Sequence, residues 1–120
     1  EIYNDISNAK NDYDIDHIVS KLEDVYGPIP DYLKNLFYLT RVKIEGNRIK
    51  ADKVKINKEN TVISLNPKSL IDNNKLINHF VLKNKIKLTD QYNLKYQNIS
   101  KDNFCELCEE VISMMKDISD

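Results

Sequence analysis

The sequence predicts an α+β fold, helices packed on a small antiparallel sheet, with elements in the order ααββαββα. Changes of hydrophobic period and one punctuated bend carry that prediction. Apolar residues recur at helical spacing as far as Ile44, alternate with polar ones from Val54 to Leu65, and return to helical spacing over residues 70–81 and 104–118. The bend is Lys21-Leu22-Glu23-Asp24-Val25-Tyr26-Gly27-Pro28-Ile29-Pro30. Gly27 suits the positive φ of a helix C-terminus, Pro28 forbids continuation, and Pro30 suits the first position of a second helix.

Residues 1–12 read as the end of a preceding segment or as an extra N-terminal helix, with Ile2, Tyr3 and Ile6 as one apolar face and Asn11-Asp12 as a break. Residues 13–120 read as a single domain. A helix from about Asp14 to Tyr26 places Ile15, Ile18, Val19, Leu22 and Tyr26 on one side. The next begins near Pro30, carries Asp31 in its first turn and buries Leu33, Leu36, Phe37, Thr40 and Ile44, ending near Gly46. Val54 and Ile56, then Thr61, Ile63 and Leu65, form a hairpin turned at Lys58-Glu59-Asn60. Ile49 and Ala51 are candidates to extend its first strand. Asn66-Pro67 is expected to open a helix lined by Leu70, Ile71, Ile77, Phe80 and Val81. A second hairpin pairs Ile86 and Leu88 with Tyr92, Leu94 and Tyr96. Parallel pairing across the middle helix is the alternative. Ser100 is expected to cap a last helix whose inner side holds Phe104, Leu107, Cys108, Val111, Met115 and Ile118.

At 120 residues with 41% apolar content, the chain is one domain with a packed core. Its 18 basic and 19 acidic residues leave a net charge of −1, without the basic excess of a dedicated nucleic-acid module. No apolar run reaches the roughly 18 residues of a membrane span, and no segment reads as a signal peptide. The chain starts at Glu1 without methionine, as a fragment of a longer protein would. With only Gly27 and Gly46, it offers no glycine-rich phosphate cradle and no nucleotide-binding or nucleophile-elbow motif.

Cys105-Glu106-Leu107-Cys108 has redox or zinc spacing, but falls inside a helix and lacks partner ligands. Cys108 therefore reads as a small core residue and Cys105 as peripheral, two free thiols that suit a reducing cytoplasm. His17 and His79 read as polar-face residues. No catalytic, cofactor-binding or metal-ligating residue is assigned. Glu23 and Asp24 oppose the helix dipole at the end of their helix, which either costs a few tenths of a kcal/mol in solvent or serves a contact. Arg41 and Arg48 are the only arginines. Arg41 reads as a structural brace between its helix and a carboxylate of the same fold.

Several of these segments resemble the C-terminal (TRCF) domain of the Mfd family of bacterial transcription-repair coupling factors. Asp24-Val25-Tyr26-Gly27-Pro28-Ile29-Pro30 matches a D-R-F-G-P-L-P-like corner, and Leu39-Thr40-Arg41-Val42-Lys43 matches an L-x-R-L-R-like stretch. Val54-Lys55-Ile56 with Val62-Ile63-Ser64-Leu65 matches the strand pair that follows. Ile86-Lys87-Leu88-Thr89-Asp90 with Leu94-Lys95-Tyr96 matches a second pair. Element order agrees over about residues 13–118. Val25 stands where the family usually has arginine, Lys21 where it often has an acid, and Lys50 where it tends to have glycine.

The resemblance implies a non-catalytic regulatory domain, with Gly27, Pro28 and Pro30 as its structural corner. The implied parent is an ATP-dependent DNA translocase, a helicase-like hydrolase that displaces stalled RNA polymerase and recruits nucleotide-excision repair. ATP and Mg would belong to the parent's motor domains, with no cofactor in this domain. The implied partner is the N-terminal UvrA-recruiting module of the same chain, which this domain would mask in an autoinhibited state. RNA polymerase and DNA would be reached through the parent, UvrA by competition, and no membrane is involved. The location would be the bacterial cytoplasm. Asp24 matches the family's interdomain aspartate, Glu23 is its neighbour, and Lys21 reverses the charge at the other contact position. The fragment alone is expected to show neither ATPase activity nor strong DNA binding. The alternative is an accessory nucleic-acid-binding domain using Lys50, Lys53, Lys55 and Lys58 of the first hairpin. A small enzyme with a pocket gathering His17, His79 or the cysteines is a third reading.

Overall fold

The structure is a computed structural model that describes residues 2–90 and 92–120, and only the backbone of Ile2 and Tyr3. The apolar-face assignment of those two side chains therefore lies outside the described residues. Three helices come first: α1 (Ile2–Asn8), α2 (Asp12–Tyr26) and α3 (Asp31–Arg48). The chain then forms β1 (Lys53–Ile56), β2 (Asn60–Ser64), α4 (Asn73–Leu76) continued by a π-helical turn (Ile77–Val81), β3 (Ile86–Leu88), β4 (Asn93–Gln97) and α5 (Phe104–Ile118). The four strands make one antiparallel sheet in the order β1-β2-β4-β3, an α+β fold. Among the described residues no parallel pairing across the middle helix occurs.

Two apolar clusters divide the core, and α3 belongs to both. Phe37, with Leu33, Leu36 and Ile44 beside it, packs on Ile6 of α1 and Ile15 of α2. Val42 and Ile49, one helical face away, pack with Ile63 and Leu94 of the sheet and with Leu107, Val111 and Met115 of α5. The predicted stripe of α3 is thus only its first face. The second was hidden because a helix apolar on two sides has no clean single period. Gly46 lets α3 close on β1, since a Cβ there would stand 3.1 Å from Val54 Cγ2.

Several boundaries differ from expectation. The α2 helix starts at Asp12, two residues early, because Asn11 Oδ1 accepts the Asp14 N–H at 2.9 Å. Pro30 occupies the capping position before α3 rather than its first turn, with φ −62° and ψ 154°. The α3 helix runs past Gly46 to Arg48. Ile49 does not extend β1; it ends α3, fully buried. Lys50 follows at φ 58°, and Ala51 is outside the strand. A lysine thus holds the left-handed conformation for which glycine is the default.

Asn66-Pro67 opens a turn, not a helix. Asn66 Oδ1 accepts the Lys68 N–H at 2.8 Å, and Ser69 Oγ donates to the Lys50 carbonyl at 2.7 Å. The chain then runs antiparallel to the C-terminus, with Asp72 N–H on the Ile118 carbonyl at 2.8 Å. Asp72 is the residue that caps α4, accepting from Asn74 and Lys75. Leu70 and Ile77 consequently stay on the surface, while Leu76 and Phe80 turn inward. Ser100 does not cap α5. Its N–H goes to Glu110 Oε1 at 2.7 Å, and Asn103 caps the helix by accepting from Glu106 N–H at 3.0 Å. Phe104, expected inside, is 38% exposed in the first turn, and Met114 joins the inner side.

Candidate interdomain interface

The bend between α2 and α3 is set by backbone conformation. The Gly27 N–H donates to the Glu23 carbonyl at 2.9 Å and closes α2. Its φ of 81° and ψ of −154° lie in a region essentially restricted to glycine. A Cβ there would meet nothing within 4 Å, so the requirement is conformational and not one of space. Two residues on, Ile29 drops into the α1–α2–α3 cluster, and the Pro30 carbonyl accepts from Leu33 and Lys34 N–H at 3.1 Å each. Gly27→Ala is expected to cost about 1–2 kcal/mol, read as a lower urea midpoint at unchanged slope.

The outside of the bend is charged and aromatic. Lys21, Glu23 and Asp24 are exposed, and among the described residues none of their side chains has an ion-pair or hydrogen-bond partner. The last turn of α2 carries no basic residue, so Glu23 and Asp24 face the negative end of the helix dipole uncompensated. Tyr26, expected on the inner side of α2, is 80% exposed; it is the final helical residue, and the turn at Gly27 carries the chain away beneath it. Val25 and, at the start of α3, Tyr32 are exposed too. The chain thus presents two carboxylates beside apolar and aromatic surface, a combination suited to a partner that brings cations. Its sequence signal was adjacency to Gly27, which places Tyr26 at the helix end.

Arg41 fixes α2 on α3. Its Nη2 donates to Asp16 Oδ1 at 2.6 Å, and its Nη1 lies 3.5 Å from Asp12 Oδ1. Both carboxylates are largely exposed, so the pair orients more than it stabilises. Arg48 supplies the counter-charge to the buried Glu45, donating from Nε to Oε1 at 2.8 Å, and reaches Ser119 Oγ at 3.2 Å.

The other chemistry-bearing residues are dispersed. His17 is exposed on α2 and stacks on Tyr13, with ring centroids 6.4 Å apart, and His79 is exposed on the π-helical turn. Cys108 is fully buried, and burial pushes its thiol up to about 12, so it is no nucleophile at neutral pH. Cys105 is half-buried, its Sγ 3.6 Å from Asn35 Oδ1. A cleft of about 1030 Å³ between α1, α3 and β1 is lined by Leu36, Leu39, Val42 and Val54 and by neither histidine nor either cysteine. Among the described residues, no three His, Cys, Asp or Glu side chains converge on a point. Among the described residues no helix is long and apolar enough to cross a membrane.

Fold and site together define a small α+β accessory domain whose most distinctive surface is a rigid helical corner. The family model of the TRCF domain matches residues 1–76, from α1 to the end of α4. The chain belongs to the TRCF domain family. Among solved structures it is similar to the crystal structure of the C-terminal domain of a transcription-repair coupling factor, with a TM-score of 0.73 at 17% identity, covering 96% of this chain and 78% of that one. That likeness extends the shared fold through β3, β4 and α5. No curated protein matches the chain.

Proposed function

We propose that this chain is the C-terminal regulatory domain of a transcription-repair coupling factor, and that it acts as a latch. In the resting parent it covers the N-terminal UvrA-recruiting module of the same polypeptide. It releases that module when the motor domains, which hold ATP and Mg, engage RNA polymerase and DNA. UvrA then competes for the uncovered surface. The parent is an ATP-dependent translocase of the bacterial cytoplasm that serves nucleotide-excision repair; this domain contributes no catalysis.

The observation that supports this reading is the pair Glu23 and Asp24, exposed and unpartnered at the dipole-disfavoured end of α2, beside a Gly27 corner that fixes their direction. A latch must be reversible, so its interface is worth only a few kcal/mol net and must compete with a partner. Carboxylates at a rim meet that need, since they give specificity and rate more than raw affinity.

The test is a titration of the 120-residue chain against the separately expressed N-terminal module. Asp24→Arg, which sets like charge against a basic partner, is expected to weaken binding by roughly 10- to 100-fold, about 1.4–2.8 kcal/mol. Unchanged affinity in that variant would remove Asp24 from the interface, and measurable ATP hydrolysis by the pure domain would reject the non-catalytic assignment.

A further inference from the structure

The net charge of −1 conceals a polarised molecule. Residues 1–31 hold eight carboxylates against two lysines, whereas residues 50–101 hold eleven lysines against four carboxylates. The sheet concentrates that second excess on one side. Val54, Ile56, Ile63, Leu94, Tyr96 and Ile86 face the core, so alternation sends Lys53, Lys55, Lys87 and Lys95 to the opposite face. Lys55 pairs with Val62, Val62 with Lys95, and Lys95 with Lys87, which aligns three lysines in one row across all four strands. Lys85 joins them, because its carbonyl accepts the Gln97 N–H at 3.0 Å and sets it level with the next row.

All five lysines are exposed, and among the described residues none has an ion pair or side-chain hydrogen bond. Their neighbours on this face are Ser64, Val62, Asn60, Asn93 and Gln97; the acids Glu59 and Asp90 stand only in the hairpin turns. Lysines on β1 and β3 alone would be explained as guards against edge-to-edge pairing. Lys95 is not, because β4 is an interior strand. It also stands directly opposite Lys87, a like-charge pair that disfavours the sheet.

We propose that this outer sheet face binds the phosphate backbone of double-stranded DNA, without reading sequence. Lysine acts as a compact point charge and suits phosphate without imposing bidentate geometry. The five side chains bring no aromatic ring with them, so the stacking platform that single strands need is missing. From Lys55 to Lys87 the row spans three strand spacings, about 14 Å. That is close to the ~12 Å width of the B-form major groove, across which two phosphate rails lie, whereas the A-form RNA groove is deep and narrow. An acidic peptide would gain little apolar contact from a face whose one apolar side chain is Val62. This site differs from the first-hairpin lysines alone: Lys50 and Lys58 lie in turns, and the second hairpin supplies Lys85, Lys87 and Lys95. It is also separate from the latch, since the buried side of α2 packs in the α1–α2–α3 cluster and the sheet packs in the other.

The test is fluorescence anisotropy of a labelled duplex of arbitrary sequence with the 120-residue chain, from about 20 to 200 mM NaCl. Binding is expected to be weak and steeply salt-dependent, with a log–log slope of roughly −4 to −4.5 if all five lysines meet phosphates. The triple change Lys55→Ser, Lys87→Ser, Lys95→Ser is expected to flatten the slope by about 3. Lys34→Ser with Lys116→Ser, away from the sheet, is expected to leave it unchanged. Lys95→Glu, which sets opposite charge across from Lys87, gives the same readout in a fold at least as stable should the triple variant unfold. Undetectable binding at 20 mM salt, or a slope untouched by these sheet variants, overturns the proposal. Equal or tighter binding of single-stranded DNA, duplex RNA or polyglutamate at matched salt overturns the assignment to duplex DNA. The latch titration against the N-terminal module is independent of every one of these outcomes.

Discussion

Phe37→Ala is expected to destabilise the domain by about 3–5 kcal/mol and to do so unevenly. Phe37 is 3% exposed and is the α3 contribution around which Ile6 of α1 and Ile15 of α2 close. Its removal leaves a void that the helices cannot readily fill by collapse, because Arg41 and the Gly27 corner fix the spacing of α2 and α3. The sheet cluster shares no fully buried residue with this one, and its contacts with α3 run through Tyr38, Val42 and Ile49. Hydrogen exchange is therefore expected to lose protection over residues 2–26 first, while β2, β4 and α5 keep theirs. Equal loss throughout the chain would mean that the two clusters form one cooperative unit.

Glu110→Ala is expected to cost about 1.5–3 kcal/mol. The Glu110 carboxylate accepts from Tyr96 Oη at 2.5 Å, from Ile99 N–H at 2.9 Å and from Ser100 N–H at 2.7 Å. It thereby fastens the link between β4 and α5 and satisfies a buried tyrosine. Burial alone would raise its pKa, but the three donors outweigh that and hold it below the usual glutamate range. A folded-state pKa below the unfolded one contributes stability that is complete above the unfolded value. That contribution is lost as pH falls through the folded value. The stability gap between the natural chain and Glu110→Gln, measured by urea unfolding, is expected to narrow from pH 7 to pH 3. A gap that stays constant would show that the charge on Glu110 contributes nothing. Tyr96 titrates in the opposite direction: burial, then its bond to Glu110, raises its phenol.

Local chemistry made much of this legible. The Gly27 corner, both hairpins and the apolar side of α5 follow from periods and turn residues that act over a few positions. The failures came where two local signals competed. Asn66-Pro67 is a good helix opening, but Asn66 spends its side chain on a turn and on the Lys50 carbonyl, and Asp72 six residues later makes the cap. Ser100 lost to Asn103 because Asn103-Phe104-Cys105-Glu106 offers a cap three residues before an acid. The sheet's lysine row was invisible for a different reason. Lys55, Lys87 and Lys95 are up to 40 positions apart in sequence, and only the pairing of β2 with β4 brings the two hairpins together. The acidic corner could be named from the chain; that Tyr26 stands outside it could not be read from spacing alone.

The shared helix α3 carries a consequence of its own. Phe37 and Tyr38 are adjacent yet serve different clusters, and each residue advances an α-helix by about 100°. A single insertion between Tyr38 and Val42 would swing Val42, Ile44 and Ile49 a quarter-turn or more out of phase with Phe37 and Tyr38, so neither cluster would keep all of its knobs. The rod behaves as a camshaft with two fixed lobes, so changes of chain length are confined to the connections around it.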